Sequence, residues 1–153
     1  MNPVLQAALI AGISTLAAVT NLRISGPPTR DVPCRQEELK PHEICLVTVK
    51  ERWQGKVLWI DARPRREWEI DGLPGSLLWN LDPHEDANAF EAAVMEKLVD
   101  APPAVVVYCS EGNCGVSSQI AERILKLGVT DQVFALKGGV GALRADGMIK
   151  GSN

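Results

Sequence analysis

Cys109 is the residue of this sequence best placed for nucleophilic chemistry. It follows an apolar run at residues 104–108 (AVVVY) and precedes a short loop and a helical pattern over residues 115–127. If the run is a strand of an open parallel sheet, Cys109 lies at its carboxyl end, where such sheets bind ligands. Loop amides and the positive end of the following helix would favour the nucleophilic thiolate and stabilise the outer sulfur of a persulfide. We therefore predict a catalytic Cys109 within an anion-binding loop formed by Ser110, Glu111, Gly112, Asn113, Cys114 and Gly115.

A second thiol, Cys114, follows five positions later. It has two interpretations: a resolving thiol that attacks a persulfide or sulfenic acid on Cys109, or a small apolar residue at the start of the helix. A phosphatase loop, which needs a cysteine, five residues and then an arginine, is excluded because Gly115 occupies the arginine position.

Asp61 and Arg63 are expected at the same edge of the sheet as Cys109. Residues 57–60 (VLWI) form a candidate strand that ends at Asp61, and parallel strands bring their carboxyl ends together. Arg63 is then either a cation that compensates an anionic substrate or an arginine that pairs locally with Asp61 or Glu67. His42 and His84 have no nucleophile beside them in the sequence, and we expect both to be solvated.

Short apolar runs alternate with helical patterns, which predicts an α/β domain with a central parallel sheet and helices on its faces. The predicted strands cover residues 57–60, 76–79, 104–108 and 132–136. Pro64 is expected in the first turn of one helix, and a second extends over residues 87–99. Residues at spacings of three and four define the apolar faces of the second and third helices, namely Phe90, Val94 and Leu98, and Ile120, Ile124 and Leu127.

The chain of 153 residues has room for one ordinary domain. Its 46% hydrophobic and 23% charged residues are typical of globular proteins and exclude a disordered chain. The formal net charge of -3 argues against nucleic acid as a partner, because nucleic-acid binding depends on clustered Lys and Arg. We predict a domain at residues 41–147 with a tail at 148–153, and neither a cofactor nor a metal.

The segment at residues 1–22 contains no charged side chain, and its apolar stretch has the length of a membrane-spanning helix. The alternatives are a secretory signal peptide and an Ala-rich helix packed on the domain or on a partner. If the helix spans the membrane, the basic residues that follow it place the domain in the cytoplasm, where its thiols would stay reduced; an exported domain is the alternative. A linker at residues 23–40 comes next, and its Cys34 is expected to be an exposed thiol.

Four blocks of the sequence, in their order along the chain, resemble a single rhodanese domain over residues 41–147. They are LWIDAR at 58–63, EWEIDGLPGS at 67–76, YCSEGNCGVSS at 108–118 and LKGGVGALRADG at 136–147. The resemblance implies a three-layer α/β domain whose cysteine accepts sulfane sulfur from a small donor and passes it to a thiol or a protein acceptor. By this resemblance Cys109 matches the nucleophile, residues 110–114 match the anion-binding loop, and Asp61 and Arg63 match the Asp-x-Arg pair.

Departures from the family pattern bear on the substrate. Cys114 stands where the loop often has an arginine, Gly72 where the turn has a histidine, and Ala142 and Leu143 near the place of a tryptophan. The loop has no cation and contains Glu111, whose charge opposes a dianion such as thiosulfate. Three functions stay open: a sulfurtransferase or persulfide carrier, a redox switch of Cys109 and Cys114, and a non-catalytic membrane-tethered binding module.

Overall fold

The computed structural model describes residues 34–110 and 114–150, and for Cys114 it describes the backbone alone. The predicted helix at residues 1–22, most of the linker, and Glu111, Gly112 and Asn113 lie outside the described residues. Predictions that concern them therefore stay predictions. Among the described residues, no helix combines the length and the apolar character that crossing a membrane requires.

Five parallel strands form the central sheet. Their bounds are β1 (Glu43–Ile44), β2 (Leu58–Asp61), β3 (Leu77–Leu78), β4 (Val105–Tyr108) and β5 (Val133–Leu136), and they lie in the order β1-β5-β4-β2-β3. Every neighbouring pair is parallel, so the predicted α/β class and parallel sheet are confirmed. The sequence patterns predict β3, within the candidate strand at residues 76–79, but they do not predict β1, whose two residues do not form an apolar run.

Helices connect and cover the strands. Their bounds are α1 (Leu46–Trp53), α2 (Arg65–Asp71), α3 (Ala87–Leu98), α4 (Cys114–Lys126) and α5 (Gly139–Ala145). The Asp86 side chain caps α3 by accepting hydrogen bonds from the amides of Asn88 and Ala89 at 2.9 and 3.3 Å. After α4, Gly128 adopts a φ of 70°, the left-handed conformation expected of the glycine there. The sequence patterns did not identify α1 or α5.

Alternating side chains of β4 separate two apolar cores, which makes the domain three-layered. Val105, Val107 and Cys109 belong to the core under α3 and α4. Val106 and Tyr108 belong to the core under α1 and α5. The predicted face of α3 is buried in the first core, and so are Ile120 and Ile124 of α4, whereas Leu127 is half-buried.

Cys34 forms a disulfide with Cys45, so the expectation of an exposed thiol at Cys34 is wrong. The two Cα atoms are 5.7 Å apart, and Cys45 is fully buried at the start of α1. A short 3-10 turn at Gln36–Glu38 lies between the two cysteines, and Gln36 donates a side-chain hydrogen bond to Thr48. Spacing alone did not indicate the pair, because this local fold brings the two sulfurs together.

Candidate functional site

Cys109 lies directly after β4, at the carboxyl edge of the sheet. Asp61 pairs with Tyr108 in the β2–β4 register, so the ends of these two strands are level, as the sequence predicted. The order of strand, short loop and helix is also confirmed, because β4 ends at Tyr108 and α4 begins at Cys114. Gly115 lies in the first turn of α4.

The thiol of Cys109 is 2% exposed and faces α4. The hydroxyl of Ser117, which is fully buried on α4, donates a hydrogen bond to the Cys109 sulfur at an O to S distance of 3.4 Å. A hydroxyl donor favours the ionised form of its acceptor. Ser117 was not identified from the sequence, and helical spacing from the loop was the one signal that could have indicated it.

The Gly-Gly segment approaches Cys109 from β5. The amide of Val140 donates to the Cys109 carbonyl at 2.7 Å. Gly139 has a φ of +52°, and a Cβ there would meet the carbonyl oxygen of Cys109 and would lie 3.3 Å from its sulfur. Glycine is therefore required at this position for close backbone approach.

Arg63 forms a local ion pair, which is the second of the two interpretations that the sequence left open. Its side chain is 0% exposed, and it donates to Asp61 at 2.8–3.2 Å and to the Asp71 carboxylate at 2.7 Å. Burial disfavours its charge, but the hydrogen bonds and the attraction of Asp61 and Asp71 outweigh that cost and raise the pKa of Arg63. Arg63 is thus a structural cation with its charge matched inside the protein.

Asp71 joins this ion pair to α5. Arg144 donates to its other carboxylate oxygen at 2.6 Å. Burial favours the neutral carboxyl, yet the hydrogen bonds from Arg144 and Arg63 prevail and lower the pKa of Asp71. The sequence did not indicate Asp71, because its partners lie 8 and 73 positions away.

Tyr108 fixes the turn between α2 and β3. Its phenol oxygen accepts a hydrogen bond from the Leu73 amide at 3.0 Å and lies 3.4 Å from the Ser76 hydroxyl. Burial raises the pKa of Tyr108 to about 12, so the phenol stays protonated at neutral pH. A Cβ at Gly72 would collide with Trp68, which explains why this turn has no side chain where the family pattern has histidine.

A cavity of about 480 Å³ opens beside Cys109. Apolar side chains form much of its wall, including Pro64, Leu81, Pro83 and Val116. The loop after β3 supplies Asp82 and His84, and its shape is held by a bond from the His84 amide to the Asp82 carboxylate at 2.9 Å. His84 is exposed, as expected, but it borders the cavity of the cysteine, which its isolated place in the sequence did not suggest.

Most of the predicted anion-binding loop lies outside the described residues. Ser110 is described, and its hydroxyl donates to Glu67 at 3.4 Å. Glu111, Gly112, Asn113 and the Cys114 side chain are outside them, so the loop's amides and the resolving-thiol interpretation stay predictions. Within the described part of the chain, no group of three His, Cys, Asp or Glu residues is arranged to hold a metal ion.

Comparison with known proteins identifies the domain. The family model described as Rhodanese-like domain matches residues 48–146, more than half of the chain. One similar solved structure is a protein of unknown function from Rhodopseudomonas palustris, described as "Possible Tyrosine Phosphatase"; it has 23% identity and a TM-score of 0.43 over 69% of this chain and 81% of that chain. Among curated proteins no significant match is found. On the family match, with the parallel sheet and the cysteine at the end of β4, this chain belongs to the rhodanese-like domain family.

Proposed function

We propose that this domain is a sulfurtransferase or persulfide carrier that uses Cys109. The observation that carries the proposal is the position of Cys109. The residue follows a buried strand and lines a cavity of about 480 Å³, and its sulfur accepts a hydrogen bond from the Ser117 hydroxyl at 3.4 Å. A thiol at a strand end beside a cavity can meet a donor, and the Ser117 hydroxyl favours its thiolate. The burial of Cys109, which is 2% exposed, acts in the opposite direction.

The chemistry is a transfer between two thiols. The Cys109 thiolate attacks the outer sulfur of a persulfide R–S–SH, the S–S bond of the donor breaks, and R–S⁻ leaves with the electron pair. Cys109 then holds an outer sulfur as its own persulfide. An acceptor thiolate attacks that sulfur, takes it as a new persulfide and returns Cys109 to the thiolate. Both steps balance without an external oxidant or reductant.

Intact-mass spectrometry of the full chain tests this proposal. After incubation with a sulfane donor, we expect an added mass of about 32 Da, one sulfur atom, that a thiol acceptor removes. Cys109→Ser should not gain that mass. Lack of any sulfur on the wild-type chain would falsify the proposal and would favour the non-catalytic binding module.

Cys114→Ser separates sulfur transfer from the redox switch. A sulfurtransferase that depends on Cys109 alone keeps its persulfide in this variant. A switch would lose two thiols on mild oxidation of the wild type and none in the variant. The disulfide at Cys34 and Cys45 contributes no thiol to the count.

We also propose that the domain lies in an oxidising compartment, the exported alternative to the cytoplasmic location. The support is the Cys34–Cys45 disulfide, because cytosolic thiols are kept reduced. Residues 1–22 would then serve as a membrane anchor or a secretory signal. Fractionation of cells with thiol labelling tests this: labelling of Cys34 without prior reduction, in protein taken from the cell, would contradict it.

A further inference from the structure

We infer that the site takes sulfur from persulfides whose organic group is uncharged or cationic, and that it discriminates against anionic donors. This inference rests on the proposed sulfur-transfer function. It comes from the charged side chains around Cys109 and from how each of them is already paired.

Arg63 does not offer its charge to a substrate. It is the single Arg or Lys among the described residues that line the cavity, yet its side chain is 0% exposed. Asp61 and Asp71 take its hydrogen bonds. A guanidinium whose donors are engaged inside the protein cannot bind a sulfonate oxygen without breaking a buried ion pair, which is costly.

Acidic side chains stay open to solvent at the same edge. Glu67 accepts the hydrogen bond of Ser110, which lines the cavity, and its side chain is 47% exposed. Asp82 is an exposed part of the cavity wall. Glu67 forms an ion pair at 3.8 Å with the buried Arg63, whose charge Asp61 and Asp71 already balance, and Asp82 accepts a hydrogen bond from a backbone amide.

The sum of these charges is negative. The described charged side chains of the buried ion pairs and the cavity wall are two cations, Arg63 and Arg144, and four anions, Asp61, Asp71, Glu67 and Asp82. Two further cations of the domain are paired, Arg65 with Glu85 and Lys137 with Glu43. Arg123 borders the neighbouring cavity, which Glu85 also lines.

A negative site with apolar walls favours one class of donor. The field repels thiosulfate, which carries two charges, and attracts a cationic group. The cavity wall offers apolar contact to an organic group through Leu81, Pro83 and Val116. An inorganic anion has no such group and gains nothing from this contact. The transfer step is the one proposed above: Cys109 gains the outer sulfur and R–S⁻ leaves.

Three persulfides with terminal groups of different charge on the same two-carbon chain test the inference. The 2-aminoethyl, 2-hydroxyethyl and 2-carboxyethyl persulfides share the S–SH group and the carbon chain, and thiosulfate serves as the dianion. At neutral pH and low salt we expect sulfur to be added to Cys109 at least about tenfold faster from the aminoethyl than from the carboxyethyl donor. Added salt should reduce this ratio by screening.

Charge variants locate the effect. Glu67→Gln and Asp82→Asn should each lower the aminoethyl to carboxyethyl rate ratio about threefold. Asp131→Asn is the matched control, because Asp131 is exposed and precedes β5, at the opposite edge of the sheet; its ratio should equal that of the wild type. Two variants at the site keep the test valid if one of them folds poorly.

Each outcome separates the two proposals. Equal rates from the three persulfides, or a faster carboxyethyl donor, would overturn the charge selection and leave sulfur transfer standing. An equal change in Asp131→Asn would overturn it too, since net charge would then account for the ratio. Absence of sulfur on Cys109 with every donor would overturn the proposed function itself.

Discussion

Removal of the Ser117 hydroxyl should weaken the nucleophile at Cys109. The hydroxyl donates to the sulfur at 3.4 Å, and both residues are buried, at 0% and 2% exposure. A hydrogen bond to a charged acceptor contributes about 1.5–3 kcal/mol, and a neutral one about 1 kcal/mol. The difference favours the thiolate by about 0.5–2 kcal/mol, and the middle of this range corresponds to about one pH unit.

We expect the pH profile for alkylation of Cys109 to move upward by about one unit in Ser117→Ala. On the limb below the midpoint, the alkylation rate at a given pH should fall about tenfold, because the thiolate fraction falls by that factor. The assay follows alkylation by iodoacetamide with mass spectrometry, in a Cys114→Ser background so that one thiol reports. The same variant should form its persulfide more slowly.

Ser76→Ala is the matched control for loss of a buried hydroxyl. Ser76 is 5% exposed, and its hydroxyl contacts Trp68 and Tyr108 rather than the Cys109 sulfur. It should lower stability without moving the alkylation profile. If Ser117→Ala is folded, as judged by its thermal midpoint, and its profile coincides with the wild type, the hydroxyl does not stabilise the thiolate and the argument fails.

Three further changes probe the structure that supports the site. Asp71→Asn removes the carboxylate between two arginines and should lower the free energy of unfolding in urea by about 3–5 kcal/mol. Because the pKa of Asp71 is lowered in the folded state, the carboxylate stabilises the fold above its unfolded pKa and stops doing so as the pH falls through its folded pKa. The variant should therefore lose that part of the decrease in stability at acidic pH. Gly139→Ala should lower the free energy of unfolding by about 1–3 kcal/mol more than Gly55→Ala. Both glycines have a positive φ, +52° and +73°, but a Cβ at Gly139 would collide with a backbone carbonyl, whereas nothing lies within 4 Å of a Cβ at Gly55. Reduction of the Cys34–Cys45 disulfide, which spans 11 positions, should cost about 3 kcal/mol in thermal or urea unfolding; a melting curve that does not respond to reductant would contradict it.

Local patterns predicted the part of the site that is continuous in the chain. The apolar run before Cys109, the loop and the amphipathic helix follow one another, so strand, turn and helix could be assigned from neighbouring residues. The level ends of β2 and β4, with Asp61 opposite Tyr108, followed from parallel pairing alone. β1 escaped prediction because Glu43 and Ile44 do not form an apolar run, whereas β3, which also has two residues, lies in the largely apolar stretch at residues 76–79.

Partners far apart in the chain were beyond such patterns. Arg63 was equally compatible with binding a substrate and with pairing inside the protein, and its burial against Asp61 and Asp71 selected the second. Likewise, the loop of His84 comes beside Cys109 because β3 lies two strands from β4 in a parallel sheet, so that both chain segments leave the same carboxyl edge.

The amino-acid sequence by itself determined the fold class and the rhodanese-like blocks and singled out Cys109 as the proposed nucleophile, because those depend on residues close together in the chain. The tertiary structure alone decided which charged side chains form buried ion pairs and which stay exposed to solvent. Desolvation and ion pairing depend on neighbours that only folding brings together. At this site that distinction separates Arg63, enclosed by carboxylates, from Asp82, exposed on the cavity wall.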